Sequence, residues 1–248
     1  MIRLAAAFLG MALAAHAAPG THTFRGYAYD LASGKFLYTE VHRQTIEGER
    51  WLGGTIDYYA PDGARIGHKT LDFSLDPYVP VYRLELGTRG GYMEGIVGLS
   101  AGRIEMEKKG YGATEVRKAA VRRGGTMVAD SGFHSFLRDR FPDLLAGKTV
   151  AFTFAVSGEL DTFRFRARRI ADAPFEGRTA VQLKVEPSTL LRLLADPLYV
   201  LYDPAQRRLL EYRGISNLHD PRTRNPYVVR IVYPSVPPAD APALPEGV

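Results

Sequence analysis

The chain has 248 residues, of which 46% are hydrophobic and 24% charged, the composition of a globular protein rather than of a disordered or fibrous one. It contains no cysteine, which excludes disulfide scaffolds, thiol catalysis, cysteine-ligated metal sites and lipid attachment through a cysteine. The formal net charge of +5 is a mild basic excess that indicates no particular partner by itself.

The first 17 residues have the pattern of a secretory signal peptide. A cationic start with Arg3 precedes an apolar run over residues 4–13, and small residues then stand at Ala15 and Ala17. The apolar run is too short to span a bilayer. We therefore expect cleavage near Ala17 and a periplasmic protein that does not span the membrane.

From residue 18 to residue 233 the dominant pattern is short alternating runs separated by turn residues. This pattern is typical of antiparallel β structure. It predicts about 12 strands in a mainly β domain, a single curled antiparallel sheet that forms a half-barrel or barrel, with one or two short covering helices. The predicted strands cover residues 23–29, 35–45, 55–59, 65–73, 81–86, 92–97, 103–108, 115–121, 149–156, 162–170, 179–185, 198–202, 208–216 and 227–233.

Two segments interrupt the β pattern with apolar residues at helical spacing. Residues 131–145 predict a helix that Asp130 or Ser131 caps and that Pro142 divides. Residues 188–195 predict a second short helix, in which residues 190–194 are a candidate lid. Both segments are short and very apolar, which indicates covers for a sheet rather than independent layers.

Charge and proline content also vary along the chain. Residues 18–100 carry 8 basic and 10 acidic side chains, a net charge of −2, whereas residues 101–248 carry 23 and 17, a net charge of +6. Two subdomains with a boundary near residues 124–125 are one interpretation, but no linker separates them, which favours one sheet. Residues 234–248 contain five prolines and predict a disordered tail.

Several strands are apolar on both faces, as in residues 149–156, 198–202 and 227–233. Such strands need cover on both sides, and two short helices cover only part of a large sheet. Either the core is closed and fully packed, or the sheet encloses an apolar cavity. The candidate ligand-binding residues are Phe133, Phe136, Leu137, Phe152, Phe154, Tyr199, Leu201, Tyr227 and Val229.

One predicted strand, residues 162–170, places Arg164, Arg166 and Arg168 on the same face. Three guanidinium groups in a row suit an anionic group such as a phosphate or carboxylate. A solvated outer face explains the same pattern without a ligand, and both interpretations stay open.

Signals for catalysis, metals or nucleic acid are weak. No histidine pair has metal-ligand spacing, so no metal and no cofactor is predicted. Ser131 and His134 are three residues apart on the predicted helix, which allows a hydrolase nucleophile and base, although capping explains the serine equally well. The predicted export and the lack of a recognisable binding module argue against nucleic acid as a partner.

The second half carries a series of motifs: Asp130-Ser-Gly-Phe-His-Ser-Phe136, Leu198-Tyr-Val-Leu-Tyr-Asp-Pro204, Tyr212-Arg-Gly-Ile-Ser-Asn217 and Val228-Val-Arg-Ile-Val-Tyr233. Over residues 128–234 the chain resembles a family of uncharacterised exported proteobacterial proteins. More distantly, its architecture resembles the carriers of the lipoprotein-localisation system. That resemblance implies a half-barrel whose helices form a lid over an apolar cavity for acyl chains.

Three functions follow from these observations. The first is a soluble, non-catalytic periplasmic binding protein for a lipid or other apolar ligand. The second is an envelope interaction or scaffold protein with a filled β core and protein partners. The third is a hydrolase that uses Ser131 and His134.

Overall fold

The computed structural model describes residues 18–87, 91–188 and 196–248. The predicted signal peptide (residues 1–17) and the candidate lid (residues 190–194) lie outside them. The strands are β1 (Gly20–Asp30), β2 (Phe36–Glu47), β3 (Arg50–Tyr59), β4 (Arg65–Asp72), β5 (Val81–Leu86), β6 (Tyr92–Leu99), β7 (Arg103–Lys109), β8 (Arg117–Arg122), β9 (Met127–Ala129), β10 (Val150–Val156), β11 (Asp161–Phe175), β12 (Arg178–Pro187), β13 (Leu198–Tyr202), β14 (Leu209–His219) and β15 (Pro226–Val232). The helices are α1 (Gly132–Asp139) and α2 (Phe141–Leu145).

All these strands belong to one sheet, in the order β8-β7-β6-β5-β4-β3-β2-β1-β15-β14-β13-β12-β11-β10-β9. Each neighbouring pair is antiparallel except β9 and β10, which are parallel. The prediction of a mainly β chain with a single curled antiparallel sheet and short helices is confirmed. The described residues form 15 strands rather than about 12. Each of the 14 predicted ranges overlaps one of them, and the strand outside these ranges, β9, has three residues, too few to show an alternation.

The sheet is two meanders joined in the middle, where β1 pairs with β15. We call β1–β8 the first meander and β9–β15 the second meander. Fifteen strands about 4.8 Å apart would extend about 67 Å if flat. The two edge strands are nevertheless consecutive in sequence, and the short connection from Arg122 to Met127 spans at most about 18 Å. The sheet must therefore curl until its edges approach each other, without closing.

The joint between the meanders is short. Only Tyr27–Asp30 of β1 pair with Val229–Val232 of β15, whereas the whole of β1 from residue 20 onward pairs with β2. Residues 20–26 of β1 therefore have no strand on their other side. This leaves a gap in the wall of the curled sheet, on the side of the turn between β13 and β14.

Helices α1 and α2 fill the interior of the second meander. Phe136, Leu137, Phe141 and Leu144 are fully buried there, against Phe152 and other apolar side chains of β10–β13. The helix start depends on a close approach between backbones. A Cβ at Gly132 would lie 2.1 Å from the carbonyl oxygen of Tyr78, so only glycine fits at this position. Pro142 stands at the start of α2, as predicted from the sequence.

The interior of the first meander has its own apolar cluster. Inner positions alternate with outer ones, so Ala28 faces the inside while its neighbours Tyr27 and Tyr29 belong to an outer cluster. Large inner side chains such as Leu84 and Ile96 are fully buried in this cluster, which contains no residue of α1 or α2.

Residues 234–248, predicted to form a disordered tail, make contacts with the sheet. The hydroxyl of Tyr29 donates to Asp240 at 2.9 Å, and the hydroxyl of Ser235 donates to Glu176 at 2.7 Å. Ala241 packs against the outer cluster around Tyr27. This segment therefore lies along the sheet and borders the gap.

Candidate functional site

A cavity of about 910 Å³ lies inside the curled sheet and opens at the gap beside β1. Its volume is within the range of small-molecule sites. Residues of both meanders and of α1 line it. We take as its mouth the part between residues 22–25 of β1 and residues 206–209, where most of the lining residues are exposed. The apolar part of the wall includes Phe24, Trp51, Ile56, Phe133, Phe154 and Ile231.

A buried ion pair joins β4 to the start of α1. The ammonium of Lys69 lies 2.6 Å from Asp130 Oδ2, and both side chains are almost completely buried. Asn217 donates to the same oxygen at 2.7 Å, while the hydroxyl of Ser131 donates to Oδ1 at 2.7 Å. Burial alone would raise the pKa of Asp130, but Lys69 and the hydrogen bonds hold it below its ordinary value. This cluster connects three elements inside the cavity wall.

A second buried carboxyl, Glu94 on β6, lies deeper in the same wall. The hydroxyls of Tyr92 and Tyr82 both point to it, the Tyr82 contact being long at 3.5 Å. Burial raises the pKa of Glu94 despite the hydrogen bond from Tyr92 and the nearby ammonium of Lys69. Nearby, Ser157 is buried and lines the cavity, and its hydroxyl has no partner in the described part of the chain.

A third buried carboxyl, Glu40 on β2, faces the cavity nearer its mouth. Its Oε2 lies 2.9 Å from His42 Nε2 and accepts a hydrogen bond from the Tyr233 hydroxyl at 3.0 Å. The ring of Phe24 stacks on that of His42, with 4.4 Å between centroids. Within the described ranges, no lysine or arginine forms an ion pair with Glu40.

Four arginines lie around the cavity: Arg25, Arg138, Arg207 and Arg208. Three of them are exposed and Arg138 is half-buried. The residues outside the described ranges include no Asp or Glu, and no ion pair of these arginines with a described carboxylate is formed. Arg25 donates instead to the main-chain oxygen of Val248 at 3.0 Å.

The structure brings two of the predicted ligand-binding residues to the cavity wall, Phe133 and Phe154. The others lie elsewhere: Phe136, Leu137 and Phe152 in the helix-filled core, Val229 and Tyr227 in the first-meander core, Leu201 in a cluster on the outer face, and Tyr199 two residues before it on β13. Leu201 lies on the outer face of the sheet, away from the cavity, and ligand contact by these seven residues stays a prediction. Ligand contact by Phe133 and Phe154 stays a prediction.

The arginine strand is β11. Arg166 donates to Glu186 Oε1 through Nε at 3.1 Å and Nη2 at 2.7 Å, and Lys184 approaches the other oxygen at 2.6 Å. Hydrogen bonds from Lys184 and Arg166 lower the pKa of Glu186 to about 2. Arg164 is exposed and Arg168 stands opposite Lys184 in the ladder. Glu186 of the same chain is therefore the anionic partner of Arg166. Contact of Arg164 and Arg168 with an anion stays a prediction.

Ser131 and His134 do not act on each other. The Ser131 hydroxyl is bonded to Asp130, and His134 Nδ1 lies 2.8 Å from the hydroxyl of Tyr202, whose ring it stacks on. Burial lowers the pKa of His134 to about 3, with smaller contributions from neighbouring cations. Ser131 makes no side-chain cap, whereas Asp130, the other predicted cap, accepts a hydrogen bond from the main-chain N–H of Ser131 through Oδ1 at 2.6 Å. This geometry gives the hydrolase hypothesis no nucleophile–base pair.

The buried polar residues Glu40, Lys69 and Glu94 were missed by the sequence analysis. Each shares a strand face with residues of the inner core, as Glu40 does with Tyr38. An alternating strand shows which residues share a face, but not which face is inside. Among the described residues, no group of three His, Asp or Glu side chains is placed to hold a metal ion.

Comparisons with known proteins concern the fold alone. No protein-family model matches the chain, and no curated protein is similar to it. A solved structure, that of a β-barrel-like protein of the domain of unknown function DUF1849 from Brucella abortus, is similar with a TM-score of 0.50 and 7% identity, over 87% of this chain and 98% of that one. In the described part of the chain, no helix has the length and apolar character needed to cross a membrane. The likeness agrees with the predicted relation to uncharacterised proteins and shows a β-barrel-like fold.

Proposed function

We propose that the protein is an exported binding protein that holds a small amphipathic molecule inside the curled sheet. The observation that carries this proposal is the open cavity of about 910 Å³, whose wall combines aromatic and aliphatic side chains with buried, hydrogen-bonded polar groups. Sites for small molecules have this combination, an apolar lining with a few fixed polar groups that orient the ligand.

The cavity favours a binding protein over a scaffold with a filled core. Protein interiors are close-packed, with few voids larger than a water molecule. Helices α1 and α2 produce such packing in the second meander, but not beside the gap at β1. Keeping this space open sacrifices packing contacts, which a bound ligand would restore.

The polar side chains in the cavity wall change the class of ligand that we expect from the one expected from the sequence. A plain acyl chain would place hydrocarbon against Glu40, one oxygen of which makes no hydrogen bond in the described part of the chain. A buried polar group without a partner costs about 1–3 kcal/mol. The ligand that suits this wall is therefore amphipathic, with apolar atoms against residues such as Ile56 and Phe154 and a polar group near the buried charges. Export, inferred from residues 1–17, is part of the proposal.

Filling the cavity tests this function. Leu209 is half-buried at the cavity mouth, and Leu209→Trp would place an indole in the entrance. We expect the variant to bind the fluorescent apolar probe 1-N-phenylnaphthylamine at least fivefold more weakly than the parent protein. Val116→Trp is the matched control, because Val116 is 40% exposed, lies outside the cavity and gains the same ring.

Native mass spectrometry of gently purified protein provides an independent measurement. We expect a bound molecule that is lost from Leu209→Trp and retained by Val116→Trp. Bare parent protein together with no uptake of the probe would overturn the proposal. Equal probe binding by both variants would place the binding site outside the cavity.

A further inference from the structure

We propose that the cavity selects amphiphiles with a cationic, organic ammonium head group, and that Glu40 is the residue that binds this group. This inference rests on the proposed function, since it names the class of molecule that the same cavity takes. It starts from a buried carboxylate with which no lysine or arginine of the described residues forms an ion pair.

Glu40 is a buried carboxylate with weak compensation. Its side chain is 9% exposed. Its hydrogen-bonding partners in the described part of the chain are the imidazole of His42 and the hydroxyl of Tyr233, both at Oε2. Removing a carboxylate from water is costly unless a cation accompanies it. Its other oxygen makes no hydrogen bond in the described part of the chain, and the residue lines the cavity.

The buried carboxylate of Asp130, in contrast, is already neutralised by a cation. Asp130 has the ammonium of Lys69 at 2.6 Å and three further hydrogen bonds, from the main-chain N–H and the hydroxyl of Ser131 and from Asn217. No second lysine lines the cavity within the described ranges. Among the buried side chains that line the cavity in the described ranges, Glu40, Glu94 and Asp130 are acidic and Lys69 is the one lysine or arginine, which favours a ligand cation over a ligand anion.

Aromatic rings surround Glu40. Phe24 and Tyr233 lie 6.0 Å apart between centroids, and His42 contacts both rings. Tyr58 stands opposite Glu40 in the ladder between β2 and β3 and also lines the cavity. Aromatic faces attract an organic ammonium, most strongly when it is removed from water. A carboxylate within a group of aromatic rings is a suitable site for this head group.

The arginines around the mouth do not reverse this preference. Of the four arginines that line the cavity, Arg138 on α1 is half-buried, whereas Arg25, Arg207 and Arg208 are exposed, where water and salt screen their charges and an ion pair is worth about 0–1 kcal/mol. Glu40 is buried, so a charge that reaches it interacts in a lower dielectric. The head group is therefore selected inside the cavity rather than at its rim.

The test compares three ligands with the same ten-carbon chain: decyltrimethylammonium, decanol and decanoate. Affinity is measured by displacement of the fluorescent probe from the full chain, below the micelle concentration of each ligand. We expect the ammonium to bind at least tenfold more tightly than decanol, and decanoate to bind more weakly than decanol. In Glu40→Gln the advantage of the ammonium should fall to less than threefold while decanol affinity is unchanged.

Glu85→Gln is the matched control, since it removes the same charge from an exposed side chain outside the cavity. It should leave all three affinities as in the parent protein. Decanol binding by Glu40→Gln shows that the variant is folded. If decanoate binds the parent protein most tightly, or if Glu40→Gln keeps the ammonium preference, the inference is overturned. If none of the three ligands binds, the proposed function itself fails.

Discussion

The inner faces of the two meanders are covered in different ways. Both meanders present the inner face of a curled antiparallel sheet. In the second meander, α1 and α2 cover that face, and inner residues such as Leu183 and Val200 are apolar and fully packed. In the first meander no described helix covers the sheet, and inner positions at Glu40, Lys69 and Glu94 are ionisable. Both meanders line the cavity, but the second is largely a packed core, whereas the first contributes the buried ionisable side chains Glu40, Lys69 and Glu94 to the cavity wall.

This difference has a physical reason. A buried charge without partners destabilises a fold, so such residues persist where hydrogen bonds or a ligand compensate for them. The helix-filled half offers no space for a ligand. The ionisable residues lie where the gap beside β1 admits one. Four predictions test this division of roles, in order of decreasing effect.

The largest effect is expected in the helix-filled core. Phe136 is 1% exposed between α1 and β10, and Phe136→Ala removes most of a ring from close packing. We expect the free energy of unfolding to fall by about 3–5 kcal/mol, measured by urea denaturation. Leu145→Ala is the control on α2, because Leu145 is 38% exposed and its change should stay small. A similar loss in both variants would show that the helices are not packed as described.

A somewhat smaller loss is expected in the polar wall of the first meander. Lys69→Met leaves the carboxylate of Asp130 buried without its cation, which costs about 3 kcal/mol. Adding Asp130→Asn should recover part of the loss, because the unpaired charge is then removed. A double variant that is less stable than Lys69→Met, by urea denaturation, would contradict this account.

The third effect is confined to acidic pH. Burial lowers the pKa of His134 to about 3, against about 6.5 in an unfolded chain. The unfolded state therefore binds more protons in this interval, and stability is lost as the pH falls from 6.5 towards 3. We expect His134→Gln to weaken this dependence of the urea midpoint on pH. An unchanged slope between pH 6.5 and pH 4 would show that His134 is not buried as a neutral imidazole.

The smallest effect is expected on the outer surface. Glu186 bridges Arg166 and Lys184, whose side chains are partly exposed. Because exposed ion pairs contribute about 0–1 kcal/mol, Glu186→Gln should change the free energy of unfolding by less than about 1 kcal/mol. Thermal unfolding at two salt concentrations measures it, and a loss as large as that of Lys69→Met would remove the distinction between outer and inner charges.

Most strands and the broken helix could be predicted from the sequence because they depend on local patterns. Alternation located β2, β10 and β11, and apolar spacing with Pro142 located α1 and α2. The parallel strand β9 could not be predicted, because three residues show no period and its pairing with β10 is set by the curl of the sheet.

The candidate site was predictable only in part. Phe133 and Phe154 were found because aromatic residues on apolar faces indicate an interior, and both line the cavity. Leu201 satisfies the same criterion but lies in the outer cluster, where Phe175 packs against it. Both faces of such a strand are covered by other parts of the protein, and the sequence does not show which face borders the cavity.

The sequence by itself determined the mainly β class, the positions of most strands and helices, and the exclusion of cysteine chemistry, because these depend on residue types and near neighbours. Only the tertiary structure decided that the joint between β1 and β15 is four residue pairs long, that a cavity opens beside it, that Glu40 lines this cavity and that Lys69 and Asp130 form an ion pair in its wall. Those facts depend on how far the sheet curls and on contacts between residues distant in sequence, such as Lys69 and Asp130, which no local pattern records.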